Sequence, residues 1–418
     1  MIKKQLLAAL LAALLATCPL LSTRARVHAT GMVTLYGISF PTGTNSCTGP
    51  LVAVYGASAL QGYIRAMALD YCNSFPPSQQ AGAPDVEYAA GGTACTGMDW
   101  AADHNDGYNE IGVSTLFVPA CTGGSYRPSS SIVDTIVAVN MVESIAQCPG
   151  ANNLQGSSPH PTSVDVPCKG NGSGTGDATF TAPNNESVQT AQLLWSSALG
   201  DYAQAGGTAG NPPTVQQRIP GSGDRATWCQ NLYGPGNDQC VGNATNTNTT
   251  GTELTAVCGN PYTNPTTSPT AGANAIGYAS RAALVLDPRQ PPGGVNALAG
   301  CGIVQLSGAN GYNATCDPSN PQTQNSSNAG TNPESNYTTC NGDLQVAEGN
   351  YPAWGYVHLD LNAAEVSAGT NAAAQGLLNF IATDADDVRD FGVMETCQME
   401  FSRSMDGGPY QATTGATC

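Results

Sequence analysis

The sequence predicts an α/β protein whose sheets are mainly parallel. Short β-branched runs end at glycines or small hydroxyl residues, and segments with helical apolar spacing follow several of them. Between these elements lie long stretches of Gly, Asn, Thr, Ser and Pro that hold many of the cysteines, which predicts disulfide-tied insertions.

Leu51-Val-Ala-Val-Tyr55 ends at Gly56 and reads as a buried strand. Ser58 then stands where a helix cap is wanted, and Leu60, Tyr63, Ile64, Met67 and Tyr71 fall on one helical face. Val86-Glu-Tyr88 is a short strand before Gly91-Gly92-Thr93, and Glu110-Ile-Gly-Val113 is another before Ser114-Thr115. Thr135 to Val139 is the clearest strand. The spacing of Val188, Ala191, Leu194, Trp195 and Ala198 predicts a helix over Glu186 to Leu199. Thr214 to Gln217 extends into Arg218, and Ala275 to Ala279 is a strand after a Gly-rich turn. Ala373 to Ala382, with Leu377, Leu378 and Ile381 inward, predicts a second strong amphipathic helix. Cys148 to Pro183, Asn231 to Ala271 and Cys301 to Asn350 read as loops, and Trp195, Trp228 and Trp354 as packing residues.

The chain has 418 residues, 41% of them hydrophobic and only 10% charged, with a formal charge of −17. That length and apolar content support a full core. Few Lys and Arg argue against nucleic acid and against anionic lipid. Met1 to Ala29 has Lys3 and Lys4 before an apolar run, the order of a secretory signal peptide, with cleavage expected after Ala29. Cys18 follows a poor lipoprotein box, so lipidation there is the lesser reading. Cleavage leaves 14 of the 15 cysteines, enough for seven disulfides in an oxidising compartment, periplasmic or extracellular. NxS/T sequons at Asn171, Asn185, Asn243, Asn248, Asn313 and Asn325 matter only in a eukaryotic secretory route.

Four turns share one design: Gly56-Ala-Ser58-Ala, Gly91-Gly-Thr93-Ala, Gly112-Val-Ser114-Thr115 and Gly221-Ser222-Gly223-Asp224. Glycine lets backbone N–H groups approach a ligand, helix starts attract anions, and hydroxyls add donors without charge. Arg218 adds a charge-assisted fork. Together they describe a site for a small oxyanion, with no cofactor or metal required.

In this order the segments resemble the phosphate-binding branch of the type 2 periplasmic-binding-protein family, the receptors of ABC transporters. Val54-Tyr-Gly-Ala-Ser-Ala59, Gly92-Thr93 and Gly112 to Thr115 are similar to its first three ligand loops. Arg218-Ile-Pro-Gly-Ser-Gly-Asp-Arg225 resembles its Arg-x-x-Gly-Ser-Gly-Thr signature, the most specific of the set. Ala275-Ile-Gly-Tyr278 and Asn371 to Val393 resemble its later strand and closing helix. Leu35-Tyr-Gly-Ile-Ser-Phe-Pro41 offers a rival first loop; Ser58 is preferred because a helix follows it. The resemblance covers about half of the chain and skips the Cys-rich insertions.

The resemblance implies a two-lobed architecture of type 2, with Cys-rich insertions and hinge closure on a ligand. Lobe 1 is expected over 30–140 and 355–418 and lobe 2 over 141–354, with Thr135 to Asn140 and Ala353 to Leu361 crossing between them. It carries a ligand role to Ser58, Thr93, Ser114, Thr115, Arg218, Ser222 and Gly223, and an ABC transporter permease as partner. Two positions depart from the pattern. Thr115 stands where the family has an Asp that accepts a proton from bound phosphate, and Asp224 stands where the signature has Thr.

Two function classes follow. One is an extracytoplasmic solute-binding protein for phosphate or a related oxyanion. The other is a secreted structural or surface protein, self-assembling in a filament or adhesion role, that keeps the fold without the ligand. An enzyme is not expected. GxSxG, HExxH and P-loop motifs are missing, and His104, His160 and His358 read as solvated or structural. Asp103-His-Asn-Asp-Gly107 lacks the full spacing of a calcium loop, and Asp384, Asp386 and Asp387 read as a solvated helix end.

Overall fold

The computed structural model describes residues 31–42, 46–91, 93–104, 106–121, 132–147, 185–207, 209–236, 240, 245–247, 249–258, 274–284, 301–306, 346–383 and 393–413. The signal segment with Cys18, Gly92, the whole stretch Cys148 to Pro183 with His160, and Asp384, Asp386 and Asp387 lie outside them. So do the sequons at Asn171, Asn243, Asn248, Asn313 and Asn325.

A hairpin opens the described part of the chain, β1 (Gly31–Leu35) with β2 (Ile38–Thr42). It is followed by β3 (Leu51–Ala57), α1 (Gln61–Ser74), β4 (Asp85–Gly91), α2 (Ala94–Asp103) and β5 (Asn109–Ser114). β3 pairs in parallel with both β4 and β5. The spaced apolar residues of α1 do what their period requires: Tyr63, Ile64 and Met67 are buried against Val52, Val54, Ile111 and Val113. Each such side chain contributes roughly 1.5–3 kcal/mol of burial. α2 lies very close to β5 because Gly97 and Gly112 face each other: a Cβ on either would run into the other element's backbone.

The second half repeats the plan. β8 (Thr214–Arg218) is followed by α4 (Gly223–Tyr233), β9 (Thr245–Thr247), α5 (Thr250–Cys258) and β10 (Ala275–Ser280), after a short β7 (Asn185–Glu186) and α3 (Val188–Trp195). β8 pairs in parallel with β9 and β10. Its core is aromatic: Trp195, Trp228 and Tyr278 pack with ring centroids 5.2–5.8 Å apart and all three are buried. Trp354 is buried in the same cluster, as expected for a packing residue.

Two long strands join the halves. β6 (Ile132–Gln147) and β12 (Trp354–Asn362) run antiparallel to each other from Ile132↔Asn362 to Met141↔Trp354. β12 then pairs with β5, while the far end of β6 pairs with β10 and with β11 (Cys301–Leu306). The path is β4-β3-β5-β12-β6-β10-β8-β9. The sheet is thus mixed, not mainly parallel: each half is parallel and the crossings are antiparallel. α6 (Ala363–Ala368) and α7 (Ala372–Thr383) return to the first half, where Leu377 and Ile381 join its core. Both expected crossing segments lie in or overlap β6 and β12.

Other expectations need correction. The helix predicted over Glu186 to Leu199 is only Val188–Trp195, because Ser197 turns left-handed with φ +58°. The stretch Asn231 to Ala271, read as loop, holds β9 and α5, and Cys301 to Asn350 begins with β11. The rival ligand loop at Leu35 to Pro41 is the β1–β2 hairpin, with Ser39 paired to Thr34. Among the described side chains, Cys47–Cys72, Cys95–Cys121 and Cys229–Cys240 are disulfides. The first ties the segment before β3 to the end of α1, and the second ties the first turn of α2 to the segment after β5.

Candidate functional site

The parallel pairing in each half sends the C-terminal ends of β3, β4 and β8 toward the same place, where helices begin. There the halves meet at a small, partly open cleft lined by Ala57, Ser58, Ala59, Thr93, Ala94, Arg218, Ser222, Gly223, Asp224 and Thr250. Among these are Ser58, Thr93, Arg218, Ser222 and Gly223, five of the residues singled out from sequence.

Arg218 is the last residue of β8 and only 2% exposed. Its Nη1 donates to Thr250 Oγ1 at 2.5 Å, and both terminal nitrogens lie 3.5 Å from Ser58 Oγ. Ser58 Oγ and Thr250 Oγ1 are 3.4 Å apart, so the guanidinium reaches a hydroxyl from each half. The backbone supports this placement: Arg218 N–H donates to the Tyr278 hydroxyl at 3.1 Å, and Arg225 Nη1 donates to Arg218 O at 2.9 Å.

Ser58 does not cap a helix. The chain makes a short 3-10 turn over Ser58–Leu60, α1 starts after Leu60 with no side-chain cap, and the hydroxyl is left to the cleft. Thr93 does cap: its Oγ1 accepts from Thr96 N–H at 3.2 Å and contacts Thr96 Oγ1 at 2.6 Å. Ser222 sits at the cap position of α4 with no side-chain cap bond.

Ser114 and Thr115 are not in the lining. Ser114 is fully buried, and its hydroxyl donates to Leu116 O at 3.0 Å and accepts from Leu116 N–H at 2.9 Å. Thr115 lies behind Gly223. A Cβ at Gly223 would overlap the Thr115 hydroxyl oxygen and come within 3.2 Å of the Ala94 Cβ. Gly223 is therefore a point of close approach between the halves, which is why no side chain fits there. The Thr115 hydroxyl is buried with no hydrogen-bond partner among the described residues.

The site has three further residues, of which the sequence marks only Asp224, as a departure from the signature. Asp224, the second residue of α4, accepts from the Thr250 hydroxyl at 3.2 Å through Oδ2. Burial pushes its carboxyl above the usual range, offset by the Arg218 charge and by the Thr250 and Ser280 hydrogen bonds. Glu253 is fully buried on α5 and pushed up to about 8 by burial, with Arg218, the Tyr278 N–H and Arg225 pulling the other way. Thr250 itself starts α5. The signal for that helix was present: Thr249-x-x-Thr252 makes reciprocal cap bonds of 3.1 and 2.9 Å just ahead of Leu254 and Val257.

Across the cleft, Ala94 N–H, the first of α2, donates to Gly221 O at 3.1 Å. His104 lies elsewhere, stacked on Tyr36 with centroids 3.6 Å apart, and His358 is buried with Nδ1 2.8 Å from Asp134. Among the described residues no His, Cys, Asp and Glu group is placed to hold a metal, and no helix is long and apolar enough to cross a membrane.

The fold is that of the two-lobed type 2 periplasmic-binding proteins. A protein from Clostridium perfringens, assigned as a phosphate ABC transporter substrate-binding protein and solved with phosphate bound, matches with a TM-score of 0.51 and 12% identity over 83% of this chain and 99% of its own. An ABC-type phosphate transport receptor from Vibrio cholerae matches at 0.45 and 11% over 82% and 99%. At 12% identity the first of these shows the fold. No protein family and no curated protein matches the sequence.

Proposed function

We propose that the protein is an extracytoplasmic solute-binding protein that captures a small oxyanion, phosphate or a relative, between its two halves. The observation that carries this reading is Arg218: a buried guanidinium facing hydroxyls from both halves, where Ser58, the start of α2 and the start of α4 converge. Arg218 would supply the charge, with Ser58, Thr93, Ser222 and the Gly223 amide as donors, while Ser114 and Thr115 shape the wall behind Gly223. The halves would act as lobes, 30–140 with 355–418 against 141–354, closing about β6 and β12. A permease of an ABC transporter is the matching partner, the protein exported by its amino-terminal signal and doing no chemistry of its own.

The test is isothermal titration of the mature protein, unfolded and refolded to remove carried-over anions, with phosphate and then sulfate. A micromolar Kd, about −8 kcal/mol, is expected for one of them. Arg218→Lys, which keeps the charge and loses the fork, should weaken it at least about tenfold. No heat and no thermal shift with either anion would reject this reading in favour of a secreted structural protein on the same fold.

A further inference from the structure

The turn that carries the Arg218 signature also brings acceptors into the cleft. Residues Ile219 to Ser222 close a turn, with Ser222 N–H on Ile219 O at 3.2 Å and Gly221 at φ +83°. This aims Gly221 O at the first N–H of α2, in the opposite half. Three residues on, the Asp224 carboxylate lies at the start of α4, 2% exposed, accepting from Thr250 Oγ1, which itself accepts from Arg218 Nη1. One short segment therefore offers a carbonyl to one half's helix start and a carboxylate to the other half's cation. Those are the donors on which an oxyanion would draw. Arg218 acts on both Asp224 and the second buried acid, Glu253, while Arg225 acts on Glu253 and on the Tyr278 phenol. An ionised Asp224 beside Arg218 leaves less net attraction for a further anion.

We propose that Asp224 is the cleft's own oxyanion: its carboxylate holds the place that an anionic ligand would take beside Arg218 and the start of α4, and any such ligand binds in competition with it. This rests on the oxyanion reading above for the ligand, but not for the role of Asp224. The carboxylate shares with phosphate and sulfate a pair of coplanar acceptor oxygens on a delocalised charge, the feature that a guanidinium and a helix start select. The competitor is tethered, so it acts at high effective concentration and must be displaced, or neutralised by a proton, before a dissolved anion gains the same donors.

Asp224→Asn tests this directly, because the amide keeps the shape and the oxygen that accepts from Thr250 while losing the charge. Its affinity for inorganic phosphate or sulfate should rise at least about tenfold over the unaltered protein, since a like charge is removed from the ligand's side. Equal or weaker binding by Asp224→Asn would overturn the proposal and make the carboxylate a bystander or a partner of the ligand. If neither protein binds either anion, the oxyanion reading fails. Amide hydrogen exchange then decides the role of Asp224 by itself. Asp224→Ala should speed exchange at the Ala94 amide, because the 221–224 segment loses its anchor on Thr250 and Arg218. Unchanged protection of Ala94 would overturn the proposal whatever the anion result.

Discussion

The two halves bring different chemistry to the same cleft. The half built on β3, β4 and β5 contributes Ser58, Thr93 and small alanines, with no charged side chain in the lining. The half built on β8, β9 and β10 contributes Arg218 and Asp224, with Arg225 and Glu253 buried behind them. Hydroxyls and helix starts need no counter-ion while they wait for a ligand. A buried guanidinium does, because an unpaired charge in a low dielectric costs several kcal/mol. The second half has therefore had to carry its own anions, and the acid that balances the site also competes for it.

The broadest test of this contrast is pH, since each half holds a buried glutamate of different surroundings. Glu110, in the first half, is pushed from 4.5 up to about 9 by burial and then by the neighbouring Asp106 and Glu365. Glu253, in the second, reaches about 8 because Arg218 and Arg225 offset part of the burial. Both carboxyls are bound to a proton in the folded protein at pH values where the unfolded chain has lost it. The native state then binds more protons, so stability falls as pH rises from about 4.5 toward 8 and 9. Urea midpoints across that window should decline, and Glu110→Gln should remove part of the decline, most visibly above pH 8. A midpoint curve identical in the variant would mean that Glu110 ionises freely.

Removing charge from the second half should cost more than removing a hydroxyl from the first. Arg218→Met leaves Asp224 buried without this cation and Glu253 with Arg225 alone, and a loss of about 3–5 kcal/mol is expected in urea unfolding. A loss below 1 kcal/mol would show that the acids take up protons without penalty. The contact between the halves should rank next. Gly223→Ala forces a methyl against Thr115 and Ala94, so about 1–3 kcal/mol is expected. Thr115→Ala in the same chain should return part of it, a coupling that a double-mutant cycle reads directly.

The same asymmetry decided what the sequence revealed. In the first half, Val-containing runs, a terminal glycine and five apolar residues at helical spacing from Leu60 to Tyr71 are local signals, and all five are buried in the core. The Arg218 segment was legible as well, because its glycines and arginine are bound to one turn. Thr250 and Glu253 were not, since α5 is nine residues in a run of Thr, Asn and Gly whose composition reads as loop. Thr250 reaches the cleft, and Glu253 the space behind it, only through the pairing of β8 with β9 and β10, which is tertiary and leaves no periodic trace. Thr115 was placed in the site by its position in a motif, while packing puts Gly223 in front of it. The sheet was read as parallel because its parallel parts are short and repeated, whereas the antiparallel crossings are single long strands distant in sequence.

The smallest effect separates two hydroxyls that looked alike in sequence. Thr93 caps α2 through its bond from Thr96 N–H, so Thr93→Ala should cost about 1 kcal/mol of stability. Ser58 makes no cap bond, and its oxygen sits 3.5 Å from the Arg218 terminal nitrogens, so Ser58→Ala should cost distinctly less in thermal unfolding. Under the oxyanion reading the order reverses for binding: Ser58→Ala should weaken anion affinity several-fold, because a donor at the guanidinium is lost. Thr93→Ala should weaken it less, because that hydroxyl is already engaged with Thr96 Oγ1 at 2.6 Å. Equal stability costs for the two would mean that the Ser58 hydroxyl supports the 3-10 turn after all, and the first half would then have one fewer group free for a ligand.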